Sequence, residues 1–197
     1  MKDLSPYKDI RREFFHEYFN KAHSYADFVQ TGSESQQKNW NNYYEKISLT
    51  AEQNKTISQF TREMNILIMA GIWCGDCARQ MPIIKKIAEA NNRINLRIID
   101  NKTNPELQDE LRINGAEKVP VVVVLSEDFF EVSRFGDKHL CMYRDKAKNE
   151  LGAACDAGIL PPDNSLLEAE VNAWVEHIER AQLVLRLAPM LRRRHND

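Results

Sequence analysis

A pair of cysteines placed where a strand turns into a helix is the feature that most constrains this chain. Residues 65–70 form a short apolar run suited to a buried parallel strand, and Cys74 and Cys77 follow closely after it. A helix is predicted from the pair through Pro82 to about Asn91. A buried strand that leads into a helix in this way is typical of an α/β fold.

The segments after this helix continue the alternation. Residues 94–99 predict a second strand and Pro105 opens a short helix, while residues 121–125 and 129–135 predict two strands joined as a hairpin. A long final helix is predicted to begin after a capping residue, Ser165. Its apolar stripe has spacings of three and four and consists of Leu167, Val171, Trp174, Ile178, Ala181 and Leu185. The predicted order is βαβαββα.

The chain before the first strand predicts only helices. We divide it into a helical extension, residues 1–62, and a main domain, residues 63–197, with a partly helical insertion at about residues 137–163. The first predicted helix begins after Ser5, and Gly32 ends it. Its predicted inward face consists of Ile10, Phe14 and Tyr18.

The composition limits which binding partners and which cellular compartment we expect for this chain. The chain has 197 residues and a formal net charge of −2, which gives no global electrostatic reason to expect nucleic acid or an anionic membrane as a partner. No apolar run approaches the length of a membrane span, and the first residues do not predict a secretory signal. We therefore expect a cytoplasmic protein. Four cysteines are too few for a disulfide scaffold, so a close pair indicates redox or metal chemistry.

The position of the pair predicts different roles for its two thiols. A cysteine at the start of a helix lies beside unpaired backbone N–H groups and the positive end of the helix dipole, which both favour the thiolate. Cys74 is therefore predicted to be the attacking nucleophile. Cys77 lies one turn inside the helix, within reach to resolve a mixed disulfide.

The residues around the pair add a family resemblance. Trp73 precedes it, Gly75 lies inside it, Pro82 follows in the same helix, and Val119 and Pro120 open a later strand. At these positions the chain resembles the thioredoxin family, and in particular a bacterial W-C-G-D-C subfamily with a helical N-terminal extension. The resemblance implies an α/β, thioredoxin-like fold with a central mixed four-stranded sheet flanked by helices. Trp73 is then expected to shield the sulfurs on one side.

The same resemblance implies a role for several site residues. Cys74 and Cys77 would form a redox-active disulfide. A cis bond between Val119 and Pro120 would bring that loop against the pair and offer its backbone to an extended substrate segment. Pro82 would bend the helix of the pair, because it has no amide hydrogen. No organic cofactor and no metal is required.

Two positions depart from the family pattern. Asp76 stands where most thioredoxins have proline, and its negative charge is expected to raise the pKa of Cys74. Ile68 replaces the buried strand aspartate that usually accepts the proton of the resolving cysteine. Our hypothesis is that Asp76 takes that role for Cys77.

The function predicted from these residues is the reduction of protein disulfides by a dithiol. Its partners would be a disulfide-bearing protein and, as the source of electrons, a reductase or a low-molecular-weight thiol. The alternative is a thioredoxin-fold adaptor or redox sensor with little turnover, whose helical extension holds a partner protein.

Other residues with reactive or charged side chains are expected to be structural. Cys141 and Cys155 lack a close partner in the sequence, and single cysteines are mostly small buried residues. A zinc site built from the pair with these two cysteines, or with His139, lacks a recognised spacing in its second half. The basic residues 192–195 are predicted to form a solvated tail.

Overall fold

A mixed four-stranded sheet forms the centre of the computed structural model, which describes residues 7–151 and 165–196. The strands are β1 (Met64–Ala70), β2 (Ile94–Asp100), β3 (Val121–Ser126) and β4 (Glu131–Gly136), in the spatial order β2-β1-β3-β4. β1 pairs parallel with β2 and antiparallel with β3, which pairs antiparallel with β4. Every residue of β1 and β3 is buried, because helices cover both faces of these apolar strands. The predicted fold class is confirmed.

Nine helices occur among the described residues. Those before the sheet are α1 (Arg12–Lys21), α2 (Tyr25–Gln30), α3 (Glu34–Lys46) and α4 (Ala51–Ser58). Those that follow β1 are α5 (Gly75–Glu89), α6 (Pro105–Glu110), α7 (Leu140–Leu151), α8 (Leu166–Leu187) and α9 (Pro189–His195). The predicted cap at Ser5, the single cysteine Cys155 and part of the predicted insertion, residues 152–163, lie outside the described residues.

The prediction of one long helix up to Gly32 is wrong. The backbone becomes extended at Ala22, and His23 pairs with Ile98 at the outer edge of β2, with N–O distances of 2.8 and 2.9 Å in the two directions. Ser24 then starts α2, where its hydroxyl accepts the N–H of Asp27 at 3.2 Å. The hydrogen bonds that this sheet edge offers therefore interrupt a sequence with helical periodicity.

The inward face of α1 also differs from the predicted stripe. Phe15, Tyr18 and Phe19 are the buried residues of this helix, and Phe14 is only partly buried. Ile10 precedes α1 and is 83% exposed. The helix starts later and ends earlier than predicted, and its buried face consists of Phe15, Tyr18 and Phe19.

The C-terminal end of the chain docks on the turn between β3 and β4. Phe129 has a φ of +61° and belongs to this turn, so β4 begins at Glu131, two residues later than predicted. On α9, Met190 is buried, and the guanidinium of Arg194 lies 2.8 Å from the carboxylate of Asp128. The basic residues 192–195 are exposed, as expected of a solvated segment, but they form part of a helix that is held by the burial of Met190 and Leu191 and by this ion pair.

The N-terminal helices are packed into the same core as the sheet. The indole of Trp40 on α3 is fully buried, with ring centroids 5.9 Å from Tyr25 and 5.6 Å from Phe28. Its Nε1–H donates to the carbonyl of Ile72 at 3.0 Å, in the loop that carries the cysteine pair. α3 also packs along α5. The predicted domain boundary at residue 62 stays a prediction.

Candidate functional site

The cysteine pair lies at the start of α5, directly after β1. Cys74 is the N-cap residue, with extended backbone angles, and its sulfur accepts the N–H of Cys77 at 3.4 Å. Cys74 keeps 8% of its surface exposed, whereas Cys77 has none. Both thiols are free. A reactant from solution can therefore reach only the first sulfur of the pair.

The surroundings of the two thiols separate their pKa values. The hydrogen bond with the Cys77 side chain is the main cause that lowers the pKa of Cys74 to about 7; burial opposes it, and the backbone N–H groups of Cys77 and Asp76 assist. Burial raises the pKa of Cys77 well above its ordinary value. At pH 7 about half of Cys74 is therefore thiolate, whereas Cys77 is the thiol. The predicted roles of attacking and resolving cysteine stay predictions.

This pKa predicts the pH dependence of alkylation. Because only the thiolate reacts, the rate at which iodoacetamide modifies Cys74 should rise through a midpoint near pH 7. It should be about tenfold faster at pH 8 than at pH 6. The rate is measured by mass spectrometry of the peptide that carries Cys74, with the Cys141 peptide as the internal control, since burial raises the pKa of that thiol. A midpoint for Cys74 above pH 8.5 would contradict the hydrogen bonds from Cys77 to the Cys74 sulfur.

The loop before β3 lies against the attacking sulfur. The peptide bond between Val119 and Pro120 is cis. The Cys74 thiol donates to the carbonyl oxygen of Val119 at 3.7 Å. The loop thus places backbone beside the reactive sulfur, where an extended segment of another chain could pair with it.

Trp73 lies at the outer side of the pair. Its indole packs over Gly71, where an added Cβ would come within 2.6 Å of the ring nitrogen, so a larger residue at this position would displace the ring. The side chain is 52% exposed, and the Lys102 ammonium lies 5.2 Å from the ring centroid. The indole therefore offers an aromatic surface to solvent next to Cys74, and its predicted shielding of the sulfurs stays a prediction.

The remaining predicted residues lie in and behind α5. Gly75 is the first residue of the helix, and Pro82 is buried within it. Without an amide hydrogen, Pro82 leaves the carbonyl of Ala78 without its helical partner. Ile68 is fully buried in β1, so the position of the family's aspartate is apolar here.

Residues 22–138, more than half of the chain, match the Thioredoxin family. The chain belongs to the thioredoxin family. The matched segment contains β1 to β4, the cysteine pair and the Val119–Pro120 loop. Among curated proteins, none matches the chain.

Two solved structures resemble this member of the thioredoxin family over most of its length. One is a protein of unknown function from Pseudomonas aeruginosa, with 23% identity and a TM-score of 0.68, covering 85% of this chain and 98% of that one. The other is an HIV epitope scaffold, with 20% identity and a TM-score of 0.59, covering 85% and 92%. At these identities the likeness shows the fold alone. No described helix of the thioredoxin-family chain is long and apolar enough to cross a membrane.

Asp76, the unusual residue of the motif, takes part in an ion-pair network that the sequence analysis missed. Its carboxylate lies 2.9 Å from the guanidinium of Arg79, one turn further along α5. Arg79 in turn makes two hydrogen bonds, of 2.7 and 3.2 Å, to the fully buried carboxylate of Glu170 on α8. The Asp76–Arg79 spacing of three residues could have suggested the first contact. Nothing in the sequence indicated Glu170.

The network continues to the loop before α7. Lys138 contacts Asp76 at 2.5 Å and Asp137 at 3.6 Å, and Asp137 also lies 3.4 Å from Lys118. The Tyr143 hydroxyl donates to Asp137 at 2.5 Å. These contacts hold the carboxylate of Asp76 on the side of α5 that faces this loop, and the described residues include no hydrogen bond from the Cys77 thiol to it. The role predicted for Asp76 as a proton acceptor stays a prediction.

The other candidates for reactive side chains are packed or half-exposed. The ring of His139 stacks on Phe135 at 4.0 Å and meets Trp174 at 4.6 Å, and burial lowers the pKa of His139 to about 4. Cys141 is half-buried. Within residues 7–151 and 165–196, no three His, Cys, Asp or Glu side chains are grouped so that they could hold a metal ion.

Proposed function

We propose that this member of the thioredoxin family is a thiol/disulfide oxidoreductase that reduces protein disulfides in the cytoplasm. The observation that carries the proposal is the difference between the two thiols: Cys74 is accessible and has a pKa of about 7, whereas Cys77 is buried and protonated. A nucleophile with a pKa near the ambient pH combines a large thiolate fraction with good intrinsic reactivity. The Val119 carbonyl beside the Cys74 sulfur supports the docking of an extended substrate segment.

The reaction consists of two thiol exchanges. The Cys74 thiolate attacks one sulfur of the substrate disulfide, which forms a mixed disulfide and releases the other substrate sulfur as a thiolate. Cys77 then loses its proton and attacks the Cys74 sulfur, which releases the second substrate thiolate. The substrate gains two electrons, and the chain is left with a Cys74–Cys77 disulfide. A reductase or a low-molecular-weight thiol must reduce this disulfide before the next cycle.

A redox titration tests the proposal. The chain is equilibrated at poises from about −320 to −120 mV, its free thiols are alkylated, and its mass is measured. Cys74 and Cys77 should lose their labels together as a two-electron couple, and Cys141→Ser should show the same couple as the wild type. Cys74→Ser should show no couple, and its disulfide reductase activity should fall to the background rate.

Two results of this experiment would count against the proposal. Cys74→Ser with full reductase activity would show that another group carries the reaction. A wild-type couple without measurable turnover on protein disulfides would favour the alternative of a redox-sensing adaptor.

A further inference from the structure

Three carboxylates and three cations form a continuous network beside the cysteine pair. The carboxylates are Asp76, Asp137 and Glu170, and the cations are Arg79, Lys118 and Lys138. Their formal charges sum to zero. No side chain in the network is more than 36% exposed, so solvent and salt screen these charges less than they screen charges on an open surface.

Within this network the cations divide the three carboxylates unequally. Arg79 is held by the fully buried Glu170 through two hydrogen bonds, because a buried carboxylate needs its counter-charge close by. Lys118 faces Asp137. Asp76 shares Arg79 with Glu170, at 2.9 Å, and has Lys138 as its second cation, whose 2.5 Å contact is the shortest ion pair of the network.

Lys138 also lies between the two sides of the site. On one side it contacts Asp76 in the first turn of α5. On the other side it contacts Asp137, which forms an ion pair with Lys118. Lys118 directly precedes Val119 in the loop that faces the attacking thiol. Burial would lower the pKa of Lys138, but the hydrogen bond to Asp76 raises it above its ordinary value. Lys138 therefore carries its charge throughout the neutral range.

We propose that Lys138 is a positioning residue that offsets the negative charge of Asp76 beside Cys74 and joins α5 to the Val119 loop. The proposal rests on the function proposed above, since it concerns the reactivity of the same thiol. Lys138 limits the cost of an aspartate inside the C-x-x-C motif to a thiolate that the hydrogen bonds from Cys77 stabilise. The charge that the motif introduces is balanced from a loop more than 60 residues away in the sequence.

Lys138→Gln tests this balance by leaving the network with one net negative charge. A nearby negative charge opposes the thiolate, so the pKa of Cys74 should rise from about 7 to about 7.5–8. Alkylation of Cys74 at pH 7 should then be about two- to fivefold slower. Asp76→Asn should lower the pKa instead. The double variant Asp76→Asn/Lys138→Gln restores the balance and should return the pKa close to the wild-type value.

The measurement is the rate of iodoacetamide modification of the Cys74 peptide from about pH 5 to pH 9 in all variants. Lys85→Gln is the matched control, because Lys85 pairs with Glu89 at 3.2 Å near the other end of α5, outside the network. It removes the same formal charge from the chain and should leave the midpoint for Cys74 unchanged.

Two results would overturn the role of Lys138. In the first, Lys138→Gln moves the midpoint no further than Lys85→Gln does. In the second, the double variant keeps the full rise of Lys138→Gln, which would mean that Lys138 does not act through Asp76. The measurement needs no substrate. A chain that shows the expected shifts but reduces no protein disulfide would overturn the proposed function and leave the role of Lys138 intact.

Discussion

Cys77→Ser is expected to convert the chain into a trap that holds its substrate on Cys74. The first exchange needs only the Cys74 thiolate, so the mixed disulfide still forms. Cys77 lies next to the Cys74 sulfur, with its N–H 3.4 Å away, so its thiol is placed to release that intermediate, and a serine hydroxyl cannot replace it. Turnover on a disulfide-bearing protein should fall to the background rate, while one substrate molecule becomes linked to each chain.

Non-reducing electrophoresis and intact mass measure the linked species, which should disappear when a reductant is added. Cys141→Ser is the matched control, because this thiol is half-buried and burial raises its pKa, so its loss should leave turnover unchanged. The variant without both Cys74 and Cys77 should trap nothing. If Cys77→Ser turned over at the wild-type rate, the resolving thiol would have to be another one.

Trp40→Ala is expected to have the largest effect on stability. It removes a fully buried indole that packs on Tyr25 and Phe28, and replacing such a side chain by alanine costs about 3–5 kcal/mol. It also removes the hydrogen bond to the Ile72 carbonyl. The free energy of unfolding is measured with urea, and tryptophan fluorescence and far-UV circular dichroism should report the same transition.

Trp40→Phe separates the contribution of aromatic packing from that of the hydrogen bond to Ile72. It keeps an aromatic ring in the core but loses the Nε1–H donor, which leaves the Ile72 carbonyl without this partner and costs about 1–3 kcal/mol. Since Ile72 directly precedes Trp73, the alkylation rate of Cys74 should change in both variants.

If Trp40→Ala unfolded only the N-terminal helices and left Cys74 with its wild-type alkylation profile, residues 1–62 would be a separate folding unit. The packing of α3 on α5 predicts a single transition instead.

Local sequence patterns predicted much of the sheet and the helices that follow it. The apolar run of β1 and the valines of β3 are buried on both faces, so their hydrophobicity alone indicates central strands. Thr50 and Gln53, three residues apart, form a capping box at the start of α4, with both hydrogen bonds present. The stripe of α8 likewise faces the core. Each of these signals depends on residues close together in the sequence.

Long-range contacts decided the features that were predicted incorrectly. His23 leaves the helical conformation because the edge of β2 offers it two hydrogen bonds from Ile98, a residue 75 positions later. The C-terminal basic residues belong to a helix that is held by the burial of Met190 and Leu191 and by the ion pair between Arg194 and Asp128. Helical periodicity and charge runs contain no information on such partners.

The cysteine pair shows the same division between local sequence patterns and long-range contacts. The sequence by itself determined that Cys74 begins a helix after a buried strand, because the apolar run, the glycine and the spacing of the thiols are all local signals. This position accounts for the backbone N–H groups that face the Cys74 sulfur. Only the tertiary structure decided what surrounds Asp76. Its charge opposes the Cys74 thiolate, as expected from the sequence, and the fold brings Arg79 and Lys138 to it and Glu170 to Arg79. Electrostatic effects depend on distance in space, and the loop after β4 and α8 must both pack against α5 before those distances exist.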